Sequence, residues 1–365
     1  MKIGVPKEIK VHEYRVGLTP PSVAELTAAG HEVFVETGAG MGIDFDDDAY
    51  AAVGAKILAN AAEVFKAAEM IVKVEEPQPQ EIAMLEARHT LFTYLHLAAD
   101  KDQALGLMKS GATCIAYETV TSPNRSLPLL KPMSEVAGRM SIQVGAHYLE
   151  KEQGGRGILL GGVPGVAPAR VAILGGGVSG LNAAQMAVGL RADVTIYDIN
   201  NDRLAELDTH FGNSIKTAYA SKAAIAAAVA NAHLVIGAVL VPGAAAPKLV
   251  TREMLKTMKR GAVLVDIAID QGGCFESSRP TTHADPVYME EGVIHYCVAN
   301  MPGAVARTSA IALNNATLPF ALKLANLGAE RAMALDPNLA AGLNVAGGSI
   351  RHRAVAEALD LPFEA

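Results

Sequence analysis

Three glycines spaced as Gly-x-Gly-x-x-Gly could bind the phosphates of a dinucleotide. They are Gly175, Gly177 and Gly180, and they lie between an apolar stretch and an alanine-rich one. In such a turn the first glycine permits a sharp bend, the second lets the backbone approach a pyrophosphate, and the third lets a helix lie close to a strand. A chain with 34 glycines can produce this spacing by chance. The strand expected before the motif and the helix expected after it favour a dinucleotide site over a simple tight turn.

The acidic residue that accompanies this motif is Asp198, at the end of the next predicted strand. Its carboxylate can accept hydrogen bonds from both ribose hydroxyls and would repel a 2′-phosphate. Residues 199–201 are Ile, Asn and Asn, which offer no cation for such a phosphate. The sequence therefore favours NAD over NADP. Arg203, in the helix that follows, completes the predicted cofactor contacts on this side.

Polar residues also follow the fifth and sixth strands of the same predicted series. Asp270 lies in the segment DQGG after the fifth strand, and Asn300 and Met301 follow the sixth. Ligands of such sheets bind beyond the carboxyl ends of the strands, so we predict that these residues lie near the nicotinamide. Taken alone, Asp270 could equally cap a helix and Asn300 could close a turn.

A second set of candidates carries charge and lies nearer the start of the chain. Arg15 follows the first predicted strand, and a guanidinium can bind a carboxylate through two hydrogen bonds. Lys73 and Glu75 end another strand, where alternate residues face the same way. His96 follows a third strand and suits proton transfer near neutral pH. A surface ion pair for Arg15 and a structural hydrogen bond for His96 are the alternatives.

The elements that must position these residues alternate between strands and helices. The first part of the chain has predicted strands at 2–5, 32–36, 70–74, 90–95 and 114–118, with helices at 20–29, 61–68 and 102–109. A helix at 132–151 leads to a second series, with strands at 170–174, 193–197, 215–218, 234–238, 262–267 and 294–298. After Pro302 the pattern indicates helices at 309–327, near 339 and at 354–359, without further strands. Such alternation predicts parallel sheets.

The predicted fold class is α/β, with two doubly wound domains built on parallel sheets. A Rossmann NAD-binding domain over residues 129–305 is expected to be inserted into a discontinuous substrate domain. The first part of that substrate domain would be residues 1–128. Residues 306–365 are too few for a domain of their own, so we expect these C-terminal helices to return to the substrate domain.

Composition excludes several classes of function. The chain has 365 residues, half of them apolar, and a formal charge of −7. The apolar content excludes a disordered chain, and the negative charge without a basic run argues against nucleic acid or a membrane as a partner. The first residues, MKIGVPKEIK, contain no apolar core of a signal peptide. Three scattered cysteines favour reduced thiols over a disulfide or zinc site, and a cytoplasmic protein without a metal.

Over essentially its whole length the chain resembles alanine dehydrogenases. The segments that carry the resemblance include MKIGVPKEIK, HEYRVGLTP, LFTYLHLA, LPLLKPMSEVAGRMS, GAVLVDIAIDQGGCFE and YCVANMPGAV. The resemblance implies reversible oxidation of L-alanine to pyruvate and ammonia with NAD, by a cytoplasmic homo-oligomer, commonly a hexamer. It also implies roles for individual residues. Arg15 would hold the substrate carboxylate, His96 would act as acid and base, Asp270 would orient water or ammonia, and Ser134, Asn300 and Met301 would line the cofactor side.

One position departs from the family pattern. Alanine dehydrogenases typically read KVKEP where this chain reads KVEEP, so Glu75 stands where the resemblance implies a lysine that contacts the substrate. Two like charges ~4 Å apart cost about 4 kcal/mol at an effective dielectric of 20. We rank impaired activity as the first expectation and partial compensation of Glu75 by Lys73 as the second. Specificity for a substrate with an additional amine is the third.

Three other functions compete with this one. An NAD-binding pseudoenzyme is supported by Glu75 alone, and a saccharopine-type or opine-type dehydrogenase would need a larger substrate pocket. The NAD-binding part of proton-translocating transhydrogenase shares a start similar to RV-x-LTP, but the segments with His96 and Asp270 disfavour it.

Overall fold

The computed structural model describes residues 1–239 and 246–364. The chain forms two compact units. Unit 1 comprises Met1–Met133 and Val305–Ala365, and unit 2 comprises Ser134–Ala304. Among the described residues, no helix combines the length and the apolar character that crossing a lipid bilayer requires.

The strands are short and distributed along the whole chain. In chain order they are β1 Lys2–Val5, β2 Glu32–Glu36, β3 Lys56–Leu58, β4 Met70–Val72, β5 Thr90–Thr93, β6 Thr113–Ala116, β7 Arg170–Leu174, β8 Asp193–Asp198, β9 Lys216–Tyr219, β10 Leu234–Gly237, β11 Val263–Asp266, β12 Val287–Glu290, β13 Val293–Tyr296, β14 Leu343–Ala346 and β15 Ser349–Ile350.

Helices connect most of these strands. They are α1 Pro20–Ala28, α2 Asp47–Ala51, α3 Ala61–Ala67, α4 Pro79–Ile82, α5 Lys101–Ser110, α6 Lys131–Tyr148, α7 Val178–Gly189, α8 Asn201–Phe211, α9 Lys222–Asn231, α10 Arg252–Lys256, α11 Ala306–Leu327, α12 Ala329–Leu335, α13 Pro337–Ala340 and α14 Arg353–Leu359. Polar side chains begin several of them. The Asp100 carboxylate, for example, accepts a hydrogen bond from the Gln103 amide at the start of α5.

Unit 1 contains an eight-stranded sheet in the order β15-β14-β6-β5-β4-β1-β2-β3. The strands from β1 to β6 are parallel, and β14 and β15 are antiparallel additions. The order reverses between β1 and β4, which is where sheets of this type bind ligands at the carboxyl ends of the strands. The segments that follow β1 and β4 hold Arg15 and Glu75.

Unit 2 contains a seven-stranded sheet in the order β12-β13-β11-β10-β7-β8-β9. All neighbours are parallel except β12 and β13. The central strands β10 and β11 are fully buried and apolar apart from Asp266 at the end of β11, as helices on both faces of a parallel sheet require. The α/β fold class with mostly parallel sheets is therefore confirmed, and both sheets are mixed rather than purely parallel.

The expectation that no strand follows Pro302 was wrong. β14 and β15 lie there, and β14 pairs with β6 in an antiparallel manner. The sequence pattern also did not predict the helices α2, α4 and α12 or the strands β3 and β12. These strands have two to four residues, which is too short for a clear alternation of apolar and polar side chains.

Candidate functional site

The glycine-rich turn of unit 2 lies between β7 and α7. Gly175 has a φ of +105°, and a Cβ there would lie 2.7 Å from the carbonyl oxygen of Ala238. A Cβ on Gly180 would lie 1.8 Å from the carbonyl oxygen of Gly175, so a larger residue would push α7 away from the strand. By contrast, no described atom lies within 4 Å of the Cβ position of Gly177. The turn thus leaves open the one side that a pyrophosphate would need.

Asp198, the last residue of β8, is hydrogen-bonded to this turn. Its Oδ2 accepts from the Gly176 amide at 2.7 Å, and its Oδ1 accepts from the Asn200 amide at 2.9 Å. Arg203 approaches the same turn from α8, where its Nε donates to the Gly176 carbonyl at 2.6 Å. Its Nη1 pairs with Glu206 at 2.7 Å. The structure brings the three motif glycines, Asp198 and Arg203 together at the carboxyl ends of β7 and β8.

Asp270 lies in a short 3₁₀ segment directly after β11 and is exposed. The buried Asp266 fixes this segment, because its carboxylate accepts from the amides of Ala268 and Cys274 and from the Ser278 hydroxyl. Burial raises the pKa of Asp266. A Cβ at Gly273 would lie 2.6 Å from that carboxylate, which explains one of the two glycines in DQGG.

The remaining residues predicted on the cofactor side lie at two further places in unit 2. Asn300 follows β13 with a φ of +58°, and its carbonyl oxygen lies 3.0 Å from Nε2 of His283. The side chain of Met301 is buried, and Ser134 is half-buried near the N-terminal end of α6. A positive φ on a residue other than glycine is uncommon and often occurs at functional positions.

Arg15 is buried in unit 1 and bound by two carboxylates. Its Nε donates to Oε1 of Glu13 at 2.7 Å, and its Nη2 donates to Oε2 of Glu13 at 2.5 Å. The same Nη2 donates to Oε1 of Glu75 at 2.7 Å. Arg15 and Glu75, the two residues predicted to bind the substrate, are therefore in direct contact. Glu75, at the position that departs from the family pattern, forms a buried ion pair with the guanidinium.

Lys10 closes the other side of Glu75. Its Nζ lies 2.9 Å from Oε2 of Glu75 and 2.6 Å from Oε1 of Glu76. Together Lys10, Glu13, Arg15, Glu75 and Glu76 form what we term the Arg15 cluster, which contains three carboxyl groups and two cations. With every group ionised, its formal charge is −1.

The pKa values of the two adjacent glutamates move in opposite directions. Burial by itself would raise the pKa of the Glu75 carboxyl, but the positive charges of Arg15 and Lys10 outweigh it and hold that pKa well below its usual range. For Glu76, burial and the negative charge of Glu75 raise the pKa of the carboxyl. Its Oε2 is buried without a hydrogen-bond partner among the residues that the structure describes.

Compensation of Glu75 by Lys73, the second-ranked alternative, requires Lys73 to lie beside Glu75, and the structure pairs Lys73 with other carboxylates. Lys73 is fully buried, and its Nζ lies 2.9 Å from Glu8 and 2.7 Å from Glu81. The prediction assumed that alternate residues face the same way, but β4 ends at Val72 and the chain bends at residues 74 and 75. The cation beside Glu75 is instead Lys10.

His96 lies just beyond β5 and is exposed. Its φ is +50°, and its imidazole ring stacks on the ring of Tyr94 with a centroid distance of 5.7 Å. Its amide donates to Oε1 of Glu118 at 2.7 Å. His96 is close enough to Glu75 for its charge to affect the pKa of that carboxyl. The structure thus brings Arg15, Glu75 and His96 to one end of the unit 1 sheet.

Two domain families match the chain over separate ranges. The alanine dehydrogenase/PNT N-terminal domain matches residues 4–137, and the alanine dehydrogenase/PNT C-terminal domain matches residues 141–353. An alanine dehydrogenase of Halomonas elongata is 60% identical over 363 residues, which cover all of this chain and 98% of that protein. The chain belongs to the alanine dehydrogenase family.

Other relatives agree with this assignment. The alanine dehydrogenase of Bacillus subtilis is 57% identical over 365 residues, covering 100% of this chain and 96% of that one. A solved L-alanine dehydrogenase superposes with a TM-score of 0.96 at 54% identity, covering 99% of both chains. A transhydrogenase from Sinorhizobium meliloti gives a TM-score of 0.83 at 27% identity, covering 97% of this chain and 100% of that one. The predicted resemblance to alanine dehydrogenases is confirmed.

Sequence reasoning missed Lys10 and Glu13 in this member of the alanine dehydrogenase family. Both lie in the charged segment between β1 and α1, in which Arg15 was the single residue singled out. A signal was available in the sequence, because this segment holds several charges directly after the first predicted strand. What the segment does not reveal is which of these charges pair with residues near position 75.

Proposed function

We propose that this chain catalyses the reversible NAD-dependent oxidative deamination of L-alanine to pyruvate and ammonia, with activity lowered by Glu75. The observation that carries the proposal is the Arg15 cluster at the reversal point of the unit 1 sheet, in a chain of the alanine dehydrogenase family. Unit 1 would hold the substrate, and unit 2 would hold NAD.

The residues of unit 2 fit NAD. The turn at Gly177 has room for a pyrophosphate, and the N-terminus of α7 offers amide groups and a positive dipole end. Asp198 would bind the adenosine ribose and disfavour a 2′-phosphate, and Arg203 would support the turn from α8. Asn300, Met301 and Ser134 would contact the nicotinamide part. When bound, NAD supplies the hydride acceptor for the substrate α-carbon.

The residues of unit 1 would orient the substrate and move protons. Arg15 would bind the carboxylate, and its buried contact with Glu13 holds the guanidinium in one orientation. His96 would take and return a proton at the substrate oxygen. Asp270, which belongs to unit 2, would orient the water or ammonia that adds to the substrate carbon. Glu75 opposes this chemistry, because it presents a negative charge where the substrate carboxylate would approach.

The test is the absorbance of NADH at 340 nm with purified full-length protein. L-alanine and NAD are supplied in one direction, and pyruvate, ammonia and NADH in the other. A rate specific for alanine and pyruvate in both directions supports the proposal. Binding of NADH without a rate on any small 2-oxo acid would instead support an NAD-binding protein without turnover, for which Glu75 is the favouring observation.

We further propose a homo-oligomer, a hexamer by analogy with the family, that acts in the cytoplasm on small molecules alone. The three cysteines have free, buried thiols, which is usual for proteins of reducing compartments. Light scattering coupled to size-exclusion chromatography measures the oligomer directly, and a mass equal to one chain would contradict this part of the proposal.

A further inference from the structure

The Glu75 carboxylate already occupies the partner position that a substrate carboxylate would need. It lies 2.7 Å from Nη2 of Arg15, and its side chain is only 6% exposed. A carboxylate bound to a guanidinium is the same chemical arrangement whether it comes from the protein or from a ligand. Glu75 is therefore a competitor for Arg15 that belongs to the chain itself.

The charge of the cluster sets the cost of a second carboxylate. Glu13, Glu75 and Glu76 face two cations, Lys10 and Arg15. An anionic ligand that entered with all groups ionised would bring the local charge from −1 to −2 in a buried place, which is strongly unfavourable. One proton taken up with the ligand cancels that added charge.

We propose that a carboxylate substrate reaches Arg15 by displacing Glu75, and that one proton is taken up from solvent as Glu75 leaves the guanidinium. This inference rests on the proposed function, since it concerns the same substrate site. In the exchange, the ion pair of Arg15 with Glu75 breaks and the ion pair of Arg15 with the ligand forms. The displaced carboxylate of the pair Glu75–Glu76 becomes a neutral carboxyl group, so charge balances.

The surroundings of Glu75 supply the physical reason for the proton. Arg15 and Lys10 hold the pKa of Glu75 low, so loss of the Arg15 contact allows that pKa to rise. The other groups that face Glu75 are Glu76 on its own segment and His96 and Tyr94 at the end of β5. Glu76 favours proton uptake further, because burial and the Glu75 charge already raise its pKa.

The experiment uses oxamate, an unreactive analogue of pyruvate, with the full-length enzyme saturated with NADH. Isothermal titration calorimetry in two buffers of different ionisation enthalpy counts the protons taken up between pH 6 and pH 8. We expect about one proton for the native chain and an oxamate Kd that weakens about tenfold for each pH unit across that range. Glu75→Ala and Glu75→Gln should bind oxamate on the order of tenfold or more tightly at pH 7.5 and take up close to no proton.

Two controls separate the possible failures. Glu32→Ala removes an exposed glutamate of the same unit and should behave as the native chain. Equal oxamate affinity and equal proton uptake in the native chain, Glu75→Ala and Glu75→Gln would overturn the inference. Should Glu75→Lys bind oxamate and oxidise alanine at the same time, the proposed function would survive that result. If Glu75→Lys neither binds oxamate nor oxidises alanine while it still binds NADH, both proposals fail.

Discussion

The two units form their candidate sites by different physical means. In unit 2 the turn at Gly175 to Gly180 is shaped by the backbone, because the first and last of these glycines have no space for a side chain. In unit 1 the site is shaped by buried charges, and the guanidinium of Arg15 is held by Glu13 and Glu75. A backbone site is specified by local geometry. A charged site depends on which residues pair across the fold, so a single substitution can reverse its preference.

The largest effect of a single substitution is expected at position 75. Glu75→Lys should raise kcat/KM for alanine by up to about a thousandfold, because it replaces the carboxylate that competes for Arg15 with a cation, and a like-charge repulsion of about 4 kcal/mol sets the upper limit of the gain. The measurement is steady-state oxidation of alanine with NAD, and Glu75→Gln should fall between the two forms. An unchanged kcat/KM in Glu75→Lys would show that the charge at this position does not limit the reaction.

The second prediction concerns Lys73, which is one of the buried cations of unit 1. Lys73→Met should lower the free energy of unfolding by about 3–5 kcal/mol, because it leaves the carboxyl groups of Glu8 and Glu81 buried without their shared partner. Urea denaturation measures the change. Lys56→Met is the matched control, since its ion pair with Glu32 is exposed and should matter little. Similar losses in both variants would contradict the importance of burial.

The third prediction tests the same buried charges through pH. Burial raises the pKa of Glu8 from 4.5 to about 7, even though Lys73 opposes the shift. Because the folded protein holds this proton more tightly than the unfolded chain, the contribution of Glu8 to stability is fully present below pH 4.5, is lost as pH rises from 4.5 to about 7, and changes little above that. Relative to Glu8→Gln, the native chain should lose about 2–3 kcal/mol between pH 5 and pH 8. A constant difference between the two chains across this range would refute the prediction.

The smallest effects are expected in the glycine-rich turn of unit 2, and they should differ between Gly177 and Gly180. Gly177→Ala should leave the melting temperature unchanged and weaken NADH binding on the order of tenfold, because its Cβ meets space that the cofactor would use. Gly180→Ala should lower the melting temperature, because its Cβ would collide with the Gly175 carbonyl. Thermal melts and NADH fluorescence titrations distinguish the two. If both variants changed the melting temperature and the NADH affinity equally, Gly177 and Gly180 would not have different roles.

The sequence was sufficient where structure follows from neighbouring residues. The bounds of β1, β2 and β7 were predicted without error, and the glycine turn lies where its spacing and flanking elements indicated. The Arg15 cluster was predicted only in part: Arg15 and Glu75 were named, but Lys10, which lies 65 positions from its partner Glu75, was not. Such pairings depend on the order of strands in the sheet. Lys73 illustrates this limit, since its partner Glu8 lies 65 positions earlier in the chain.

The antiparallel pairing of β14 with β6 has a consequence for how the protein is made. The ribosome completes β6 and then synthesises all of unit 2 before β14 exists, about 230 residues later. At a synthesis rate of roughly 5–20 residues per second, the outer edge of β6 stays unpaired for on the order of 10 to 50 s. An unpaired strand edge is a template for association with other chains. The nascent protein therefore passes through an interval in which unit 2 can be complete while unit 1 is not. During this interval unit 1 depends on chaperones or on dilution to avoid aggregation.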